Sequence, residues 1–262
     1  MPLHTSFRYA IKAIFLKDNV LTNRSKDNKR ILITAYHRVG EPQKGARYRG
    51  MFVTPGILAC HIKWLFFLGY KFTTVSGAFM DGVDGRVACI TFDDGYLDNY
   101  EQAFPVLREL GVSATVFVVT SDVGKRNHVF REAGEKSPSD LMDWQHLKSL
   151  KEAGWEIGSH ASEHVHLDRY GGERQRELVS VSQEALILNL GERANSFAYP
   201  YGAYNSNTLD ALSEAGFRFG LTIREGLNGP NVNPLELRRS CLKGYRWIHR
   251  FLPLGISGVF GA

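Results

Sequence analysis

The stretch Ile90–Tyr100, ITFDDGYLDNY, joins an apolar segment to two adjacent acids. The residues before the acids, RVACITF at 86–92, predict a buried β-strand, which Gly95 ends. Neighbouring carboxylates repel each other, so such a pair is kept most easily when one binds a cation or when the two perform different tasks. The alternative is a turn with two solvated acids, because Asp and Gly are common in turns.

Strand-like and helix-like segments alternate along most of the chain. Thr54 is the expected cap of one helix and Gly191 the expected end of another. Other predicted strands are 31–36, 71–75, 113–119, 155–160, 195–200 and 217–223, and predicted helices are 54–70, 99–110, 143–154, 171–190 and 205–216. This alternation predicts an α/β fold with a mostly parallel sheet or barrel, whose chemistry gathers where strands end.

Composition narrows the class of protein. A length of 262 residues with 44% apolar residues fits a single α/β barrel. The net charge of +5 is spread along the chain, and no basic stripe is interleaved with aromatics, so we expect no nucleic-acid partner. The three cysteines form no CxxC pair, which argues against a cysteine-based zinc site and favours a reducing compartment.

Three regions are expected. Residues 1–30 are an N-terminal extension, with Phe7, Ile11, Ile14 and Phe15 on one face of an amphipathic helix, followed by a basic linker. Residues 31–250 are the main domain, and 251–262 are an apolar C-terminal tail. Both end segments are expected to pack on the main domain, with peripheral contact to a membrane surface as the alternative.

The N-terminus shows no secretory signal, because its apolar run AIFL at 13–16 is short and flanked by lysines. No stretch reaches the roughly 20 apolar residues of a membrane-spanning helix. These absences predict a cytoplasmic protein, with peripheral contact at the inner membrane surface as the alternative.

A pair of histidines follows another predicted strand. In SHASEH (159–164), His160 and His164 are four residues apart, which on a helical turn would place both imidazoles on one face. This spacing is weak by itself in a chain with nine histidines. Two His and one Asp would form a three-ligand site with a position open for water, as in catalytic zinc centres, and a second Asp could then accept the proton of that water.

Three motifs in order resemble those of the polysaccharide deacetylases, carbohydrate esterase family four: TFDDG (91–95), SHASEH (159–164) and FAYPYG (197–202). AYHRV (35–39) and ELRRS (236–240) resemble a bacterial subgroup of that family, and the resemblance covers about residues 31–244. It implies a distorted (β/α) barrel with about seven strands, and a catalytic domain over 31–250.

The resemblance also implies roles for individual residues. Asp93 corresponds to the catalytic base. Asp94, His160 and His164 correspond to the ligands of Zn²⁺ or another divalent transition metal. The backbone N–H of Tyr201 corresponds to the donor that holds the oxyanion.

Two departures from the family pattern affect the predicted site. The arginine that commonly pairs with the base is replaced by Ala198, and three other arginines could take its place: Arg38, Arg238 and Arg239. The late Leu-x-His motif that supplies the general acid reads LTI at 221–223, and His37 of the YHRV motif is the expected replacement. A structural histidine is the alternative for His37.

Substrate contacts are expected from Tyr201 and Pro200 of the YPYG motif and from Trp144, which resembles an aromatic of the family's site wall but could instead belong to the core. The predicted function is a metal-dependent hydrolase that removes N-acetyl groups from an amino-sugar polysaccharide or its lipid-linked precursor. The alternatives are an amidohydrolase for formyl or non-sugar amides, and a catalytically inactive carbohydrate-binding relative.

Overall fold

The structure is a computed structural model, which describes residues 30–42, 49–83, 85–126, 128 and 139–242. The predicted amphipathic helix and basic linker before Arg30, and the apolar tail 251–262, lie outside the described residues. Each helix in the described ranges is too short or too polar to span a bilayer.

Ten strands lie in the described part of the chain. Their bounds are β1 Arg30–Tyr36, β2 Arg38–Val39, β3 Phe52–Val53, β4 Lys71–Phe72, β5 Arg86–Phe92, β6 Ala114–Val118, β7 Glu156–Ser159, β8 Ser196–Ala198, β9 Phe219–Leu221 and β10 Ser240–Cys241.

Seven of these strands follow one another across a single parallel sheet in the order β10-β1-β5-β6-β7-β8-β9, and β4 pairs with the start of β5. The short pair β2 and β3 is separate. The seven strands curl into a half-barrel with helices, which confirms the predicted α/β barrel of about seven strands. All carboxyl ends therefore open on one face.

The α-helices of the described chain cover the sheet: α1 Pro55–Phe67, α2 Val75–Met80, α3 Phe104–Glu109, α4 Trp144–Glu152, α5 Gly172–Leu190 and α6 Ser206–Glu214. Several begin and end at the predicted residues. Thr54 Oγ1 accepts a hydrogen bond from Ile57 N at 3.2 Å, and Gly191 ends α5 with a left-handed φ of 79°. The predicted helix at 99–110 is a π-helix, Asn99–Ala103, that continues into α3.

Side chains that alternate along each strand form two hydrophobic clusters, one on each face of the sheet. In β5, Ala88, Ile90 and Phe92 belong to the large cluster under the helices. Val87 and Cys89 point to the other side and belong to a smaller cluster with Ile31, Ile33 and Phe117. Because side chains in a strand alternate, the side of Val87 and Cys89 continues to Thr91 and then to Asp93. The apolar interior of the half-barrel thus gives way to acids where β5 ends.

A substitution of Gly158 in β7 would test how closely that interior is packed. A Cβ on Gly158 would lie 2.5 Å from the Phe117 ring and 2.8 Å from Ser196 Oγ. We expect Gly158→Ala to lower the free energy of unfolding by about 1–3 kcal/mol, measured by urea denaturation, because the core must shift to admit the methyl group.

The control for this substitution is Gly56→Ala, since no atom lies within 4 Å of the added Cβ in the first turn of α1. This change should leave the stability unchanged or raise it by less than about 1 kcal/mol. Equal effects of the two substitutions would contradict the packing inferred around Gly158.

Candidate active site

Asp93 lies directly beyond β5, and its backbone holds it beside the neighbouring strand. Its N–H donates to the carbonyl of Tyr36, the last residue of β1, at 2.9 Å. The side chain of Asp93 is 4% exposed. The register between β1 and β5 therefore sets the position of this carboxylate at the edge where the parallel strands end.

Asp94, His160 and His164 form a compact cluster of side chains that could hold a metal ion. One candidate ligand atom from each lies within 4.8 Å of the others. The Nε2 atoms of His160 and His164 face Asp94 Oδ1 at 3.4 and 3.3 Å. The structure thus brings together the three residues that the sequence predicted to share a site.

The helical turn expected for the histidine pair is wrong. Residues 160–164 form a loop, in which Ala161 has a left-handed φ of 64°. Ser159 Oγ accepts from Ala161 N at 3.0 Å, and Ser162 N donates to the Leu178 carbonyl at 3.0 Å. These bonds fold the loop so that the two imidazole centres lie 5.1 Å apart.

The chemistry of this donor set fits a cation. His160 Nδ1 lies 2.7 Å from the Ala198 carbonyl, which can only accept, so Nδ1 carries the proton and Nε2 presents a lone pair to Asp94. Burial lowers the pKa of His160 to about 4, so the ring is neutral near pH 7. Burial alone would lower the pKa of His164, but the Asp94 carboxylate has the larger combined effect, and the net result is a raised pKa. Positive charge is therefore favoured between these groups.

Arg239 pairs with Asp93 through two parallel hydrogen bonds. Nη1 and Nη2 donate to Oδ1 and Oδ2 at 2.7 and 2.8 Å, and Nε donates to the Thr222 carbonyl at 2.9 Å. Arg239 is 1% exposed. Burial alone would raise the pKa of Asp93, but the guanidinium outweighs it and holds the pKa below its usual value of 3.8. Asp93 thus stays ionised at neutral pH.

Of the three arginines that could replace the one missing at Ala198, Arg239 is the one that contacts Asp93. Arg38 pairs with Asp98 instead, and Arg238 lies beside Gly226. The ELRRS motif contained the correct residue, but only the pairing of β10 with β1 brings it to Asp93.

His37 lies beside the buried Asp93. Its Nε2 is 4.0 Å from Asp93 Oδ2, and its side chain is 28% exposed. The residue sits between β1 and β2, at the carboxyl end of β1. This geometry leaves the imidazole reachable from solvent and close to the buried acid.

A cavity of about 250 Å³ joins these groups, and its lining includes His37, Asp93, Asp94, Tyr201 and Arg239. The ring of Tyr201 packs face to face on His166 at 4.0 Å and edge-on against His164 at 4.4 Å.

Pro200 and Trp144 do not line the cavity within the described residues. Pro200 is buried in the turn that carries Tyr201, and Trp144 packs against the large hydrophobic cluster at the start of α4. Their predicted contacts with substrate remain predictions.

Comparisons with known proteins identify the family of this chain. A sequence model of the family described as polysaccharide deacetylase matches residues 81–220, just over half of the chain. The chain therefore belongs to the polysaccharide deacetylase family.

Two relatives show how far the sequence likeness extends. The chain is 29% identical over 184 residues to YxkH of Bacillus subtilis, named as a polysaccharide deacetylase, with 68% of this chain and 61% of that protein aligned. It is 27% identical over 201 residues to a poly-β-1,6-N-acetyl-D-glucosamine N-deacetylase of Staphylococcus aureus strain MRSA252, covering 72% of this chain and 67% of the relative. The chain thus spans about two thirds of the length of these relatives.

Solved structures share the fold. IcaB from Ammonifex degensii matches with a TM-score of 0.70 at 23% identity, covering 86% of this chain and 97% of that one. The Streptococcus pyogenes deacetylase PplD, solved in complex with acetate, matches with a TM-score of 0.68 at 22% identity over 82% of this chain and 92% of its own.

The buried pair of Arg239 and Asp93 predicts a pH-dependent loss of stability when the arginine is removed. Arg239→Met leaves a buried carboxylate without its cation, which should lower the free energy of unfolding by about 3–5 kcal/mol at pH 7. Denaturant unfolding at several pH values measures this loss.

The sign of the pH dependence follows from the pKa of Asp93. In the native protein the lowered pKa contributes stability that is present above the ordinary value of 3.8 and lost as pH falls through the folded value. In the variant, burial raises the pKa, so the folded state gains a proton first and the deficit shrinks from pH 7 to pH 5. Arg174→Met, which breaks exposed ion pairs with Glu163 and Glu177, is the control and should have far less effect at every pH.

Proposed function

We propose that this protein is a metal-dependent hydrolase that removes N-acetyl groups from an amino-sugar polysaccharide. The observation that carries the proposal is the placement of an arginine-paired acid, Asp93, next to the cluster of Asp94, His160 and His164 in one cavity. An acid that stays ionised beside a set of metal ligands is the arrangement needed to activate water for attack on an amide.

In this proposal Asp94, His160 and His164 hold Zn²⁺ or another divalent transition metal. Two imidazoles and one carboxylate are a common ligand set of catalytic zinc and leave coordination open. When bound, the metal supplies Lewis-acid polarisation of the amide and lowers the pKa of water. The Ala198 carbonyl fixes the His160 ring so that Nε2 points into the cluster.

Asp93 is the proposed general base. Its two oxygens are held by the Arg239 guanidinium at 2.7 and 2.8 Å, so the carboxylate is fixed in orientation and remains able to accept a proton. As water attacks the acetyl carbon, its proton passes to Asp93. Arg239 lowers the cost of holding the anion in a buried position before the reaction.

His37 and Tyr201 complete the proposed machinery. The backbone N–H of Tyr201 donates a hydrogen bond to the oxyanion that forms on the carbonyl oxygen. His37, 4.0 Å from Asp93 and partly exposed, donates a proton to the leaving amine. The C–N bond then breaks to release acetate and a free amino sugar.

The proposed substrate class follows from the relatives. The Staphylococcus aureus relative is named for poly-β-1,6-N-acetyl-D-glucosamine. We propose a polymer of N-acetylated hexosamine as substrate. The alternative is a lipid-linked precursor of such a polymer. The catalytically inactive alternative is less favoured, because a binding module has no need of an ionised buried acid beside its metal ligands.

The assignment of Asp93 as the base predicts that its substitution removes turnover but not metal binding. Asp93→Asn should lower kcat for acetate release by at least about 100-fold while the protein still binds metal, because the amide cannot accept the proton. Acetate release from β-1,6- and β-1,4-linked N-acetylglucosamine oligomers measures turnover, and metal analysis measures occupancy. Asp210→Asn on the exposed side of α6 is the matched control and should keep full activity. Near-normal turnover by Asp93→Asn would refute the assigned base.

The assigned ligands predict a change in metal content. After dialysis against Zn²⁺, the wild type should retain about one ion per chain, and His164→Ala should retain substantially less. His146→Ala is the control. The His146 side chain accepts a hydrogen bond from Asp143 N at the start of α4, and within the described residues His146 does not line the cavity. Equal zinc in all three proteins would contradict the ligand assignment.

The substrate class is tested with the zinc-loaded wild type. Release from the oligomers supports the polymer substrate, whereas release only from a lipid-linked N-acetyl sugar supports the precursor. No acetate release with stoichiometric zinc would favour formyl or non-sugar amides, and no turnover of any amide would favour the binding-only alternative.

A further inference from the structure

We propose that Asp98 and Asn99 are positioning residues of the active site, which hold the main chain from the His37 carbonyl to Val39 so that the His37 imidazole faces Asp93. The inference rests on the proposed function, because it assigns these residues an effect on the reaction through His37. Neither residue lines the cavity within the described part of the chain.

Two hydrogen bonds fix the main chain around His37. Asn99 Nδ2 donates to the His37 carbonyl at 2.8 Å, and Asp98 Oδ1 accepts from the Val39 N–H at 3.0 Å. The Tyr36 carbonyl just before His37 accepts from Asp93 N at 2.9 Å. The peptide groups before and after His37 are thus tied to the chain that follows β5, which also carries Asp93.

Asp98 also binds the side chain of Arg38, the residue that follows His37. Its Oδ2 accepts from Arg38 Nε at 2.5 Å, and Arg38 Nη1 donates to Ser139 Oγ at 2.6 Å. The guanidinium lies between two aromatic rings, 4.7 Å from the centre of Phe52 and 4.3 Å from that of Tyr96. These contacts of Arg38 restrain the turn from β1 to β2, which carries His37.

The buried position of Asn99 leaves one of its polar atoms without a hydrogen bond in the part of the chain that the structure describes. The residue is fully buried, yet within the described residues its Oδ1 has no hydrogen-bond donor. A buried amide with an unsatisfied acceptor lowers stability. Asn99 also begins the π-helix Asn99–Ala103, a distortion that is frequent at functional sites. The Nδ2 group of Asn99 donates both to the His37 carbonyl and to Asp98 Oδ1, at 2.8 and 3.0 Å, so Asn99 links the two contacts that hold this stretch of main chain.

The proposal predicts that the effect of Asn99 depends on His37. Asn99→Ala should lower kcat for acetate release by about 10- to 100-fold, since a small displacement of a reacting group has this scale of effect. In a His37→Ala background, the same substitution should lower kcat less than about twofold, because the group it positions is already absent. KM and zinc content should change little in Asn99→Ala.

Two further variants make the test decisive. Asn189→Ala removes another amide-to-carbonyl bond, from Asn189 Nδ2 to the Ala185 carbonyl at 2.9 Å, and should leave kcat unchanged. Asp98→Asn keeps the size of the side chain but removes the charge that pairs with Arg38, and should show the same dependence on His37. Multiplicative losses in the double variants, as from general damage to the fold, would overturn the proposal.

A readout without activity separates this proposal from the proposed function. Hydrogen exchange of the Val39 amide should be faster in Asp98→Ala than in the wild type, while the Val116 amide in β6 keeps its protection. Unchanged exchange at Val39 would overturn the positioning contact itself. Faster exchange in a protein whose wild type releases no acetate would overturn the proposed function and, with it, the catalytic role of the contact.

Discussion

The ion pair between Arg239 and Asp93 is the contact around which the cavity is arranged. Asp93 directly follows β5 and Arg239 directly precedes β10, and β1 lies between these two strands in the sheet. Both are almost completely buried, so each charge would be costly without the other. The pair therefore requires β10 to dock beside β1 in register, and this docking also completes the lining of the cavity with Arg239 and Cys241.

Backbone strain in the described residues is concentrated at the same place. Only three non-glycine residues in those ranges have a left-handed φ: Asp94 at 73°, Ala161 at 64° and Tyr201 at 58°. Each follows the end of a different strand of the half-barrel, and each lies in or beside the candidate site. Such conformations cost roughly 1–3 kcal/mol each and persist where the surroundings enforce them. The regular sheet below thus supports three strained turns, which aim polar groups into one cavity.

The sequence predicted much of this arrangement because its signals were local. Alternating strands and helices indicated a parallel sheet, and parallel strands bring their carboxyl ends together, so Asp94, His160 and His164 could be expected in one place. The conformation of the His160 loop was missed, because a four-residue spacing also fits a turn closed by Ser159. The partner of Asp93 could not be selected from three arginines, since 146 residues separate it from Arg239 and only strand pairing decides between them.

The order of synthesis gives this long separation a further meaning. Asp93 and the strand that carries it emerge from the ribosome well before Arg239, and contacts between distant residues form late because loop closure costs entropy. Until β10 docks beside β1, Asp93 has no guanidinium to offset the cost of burying its charge. Pairing of Asp93 with its cation is therefore coupled to completion of the sheet.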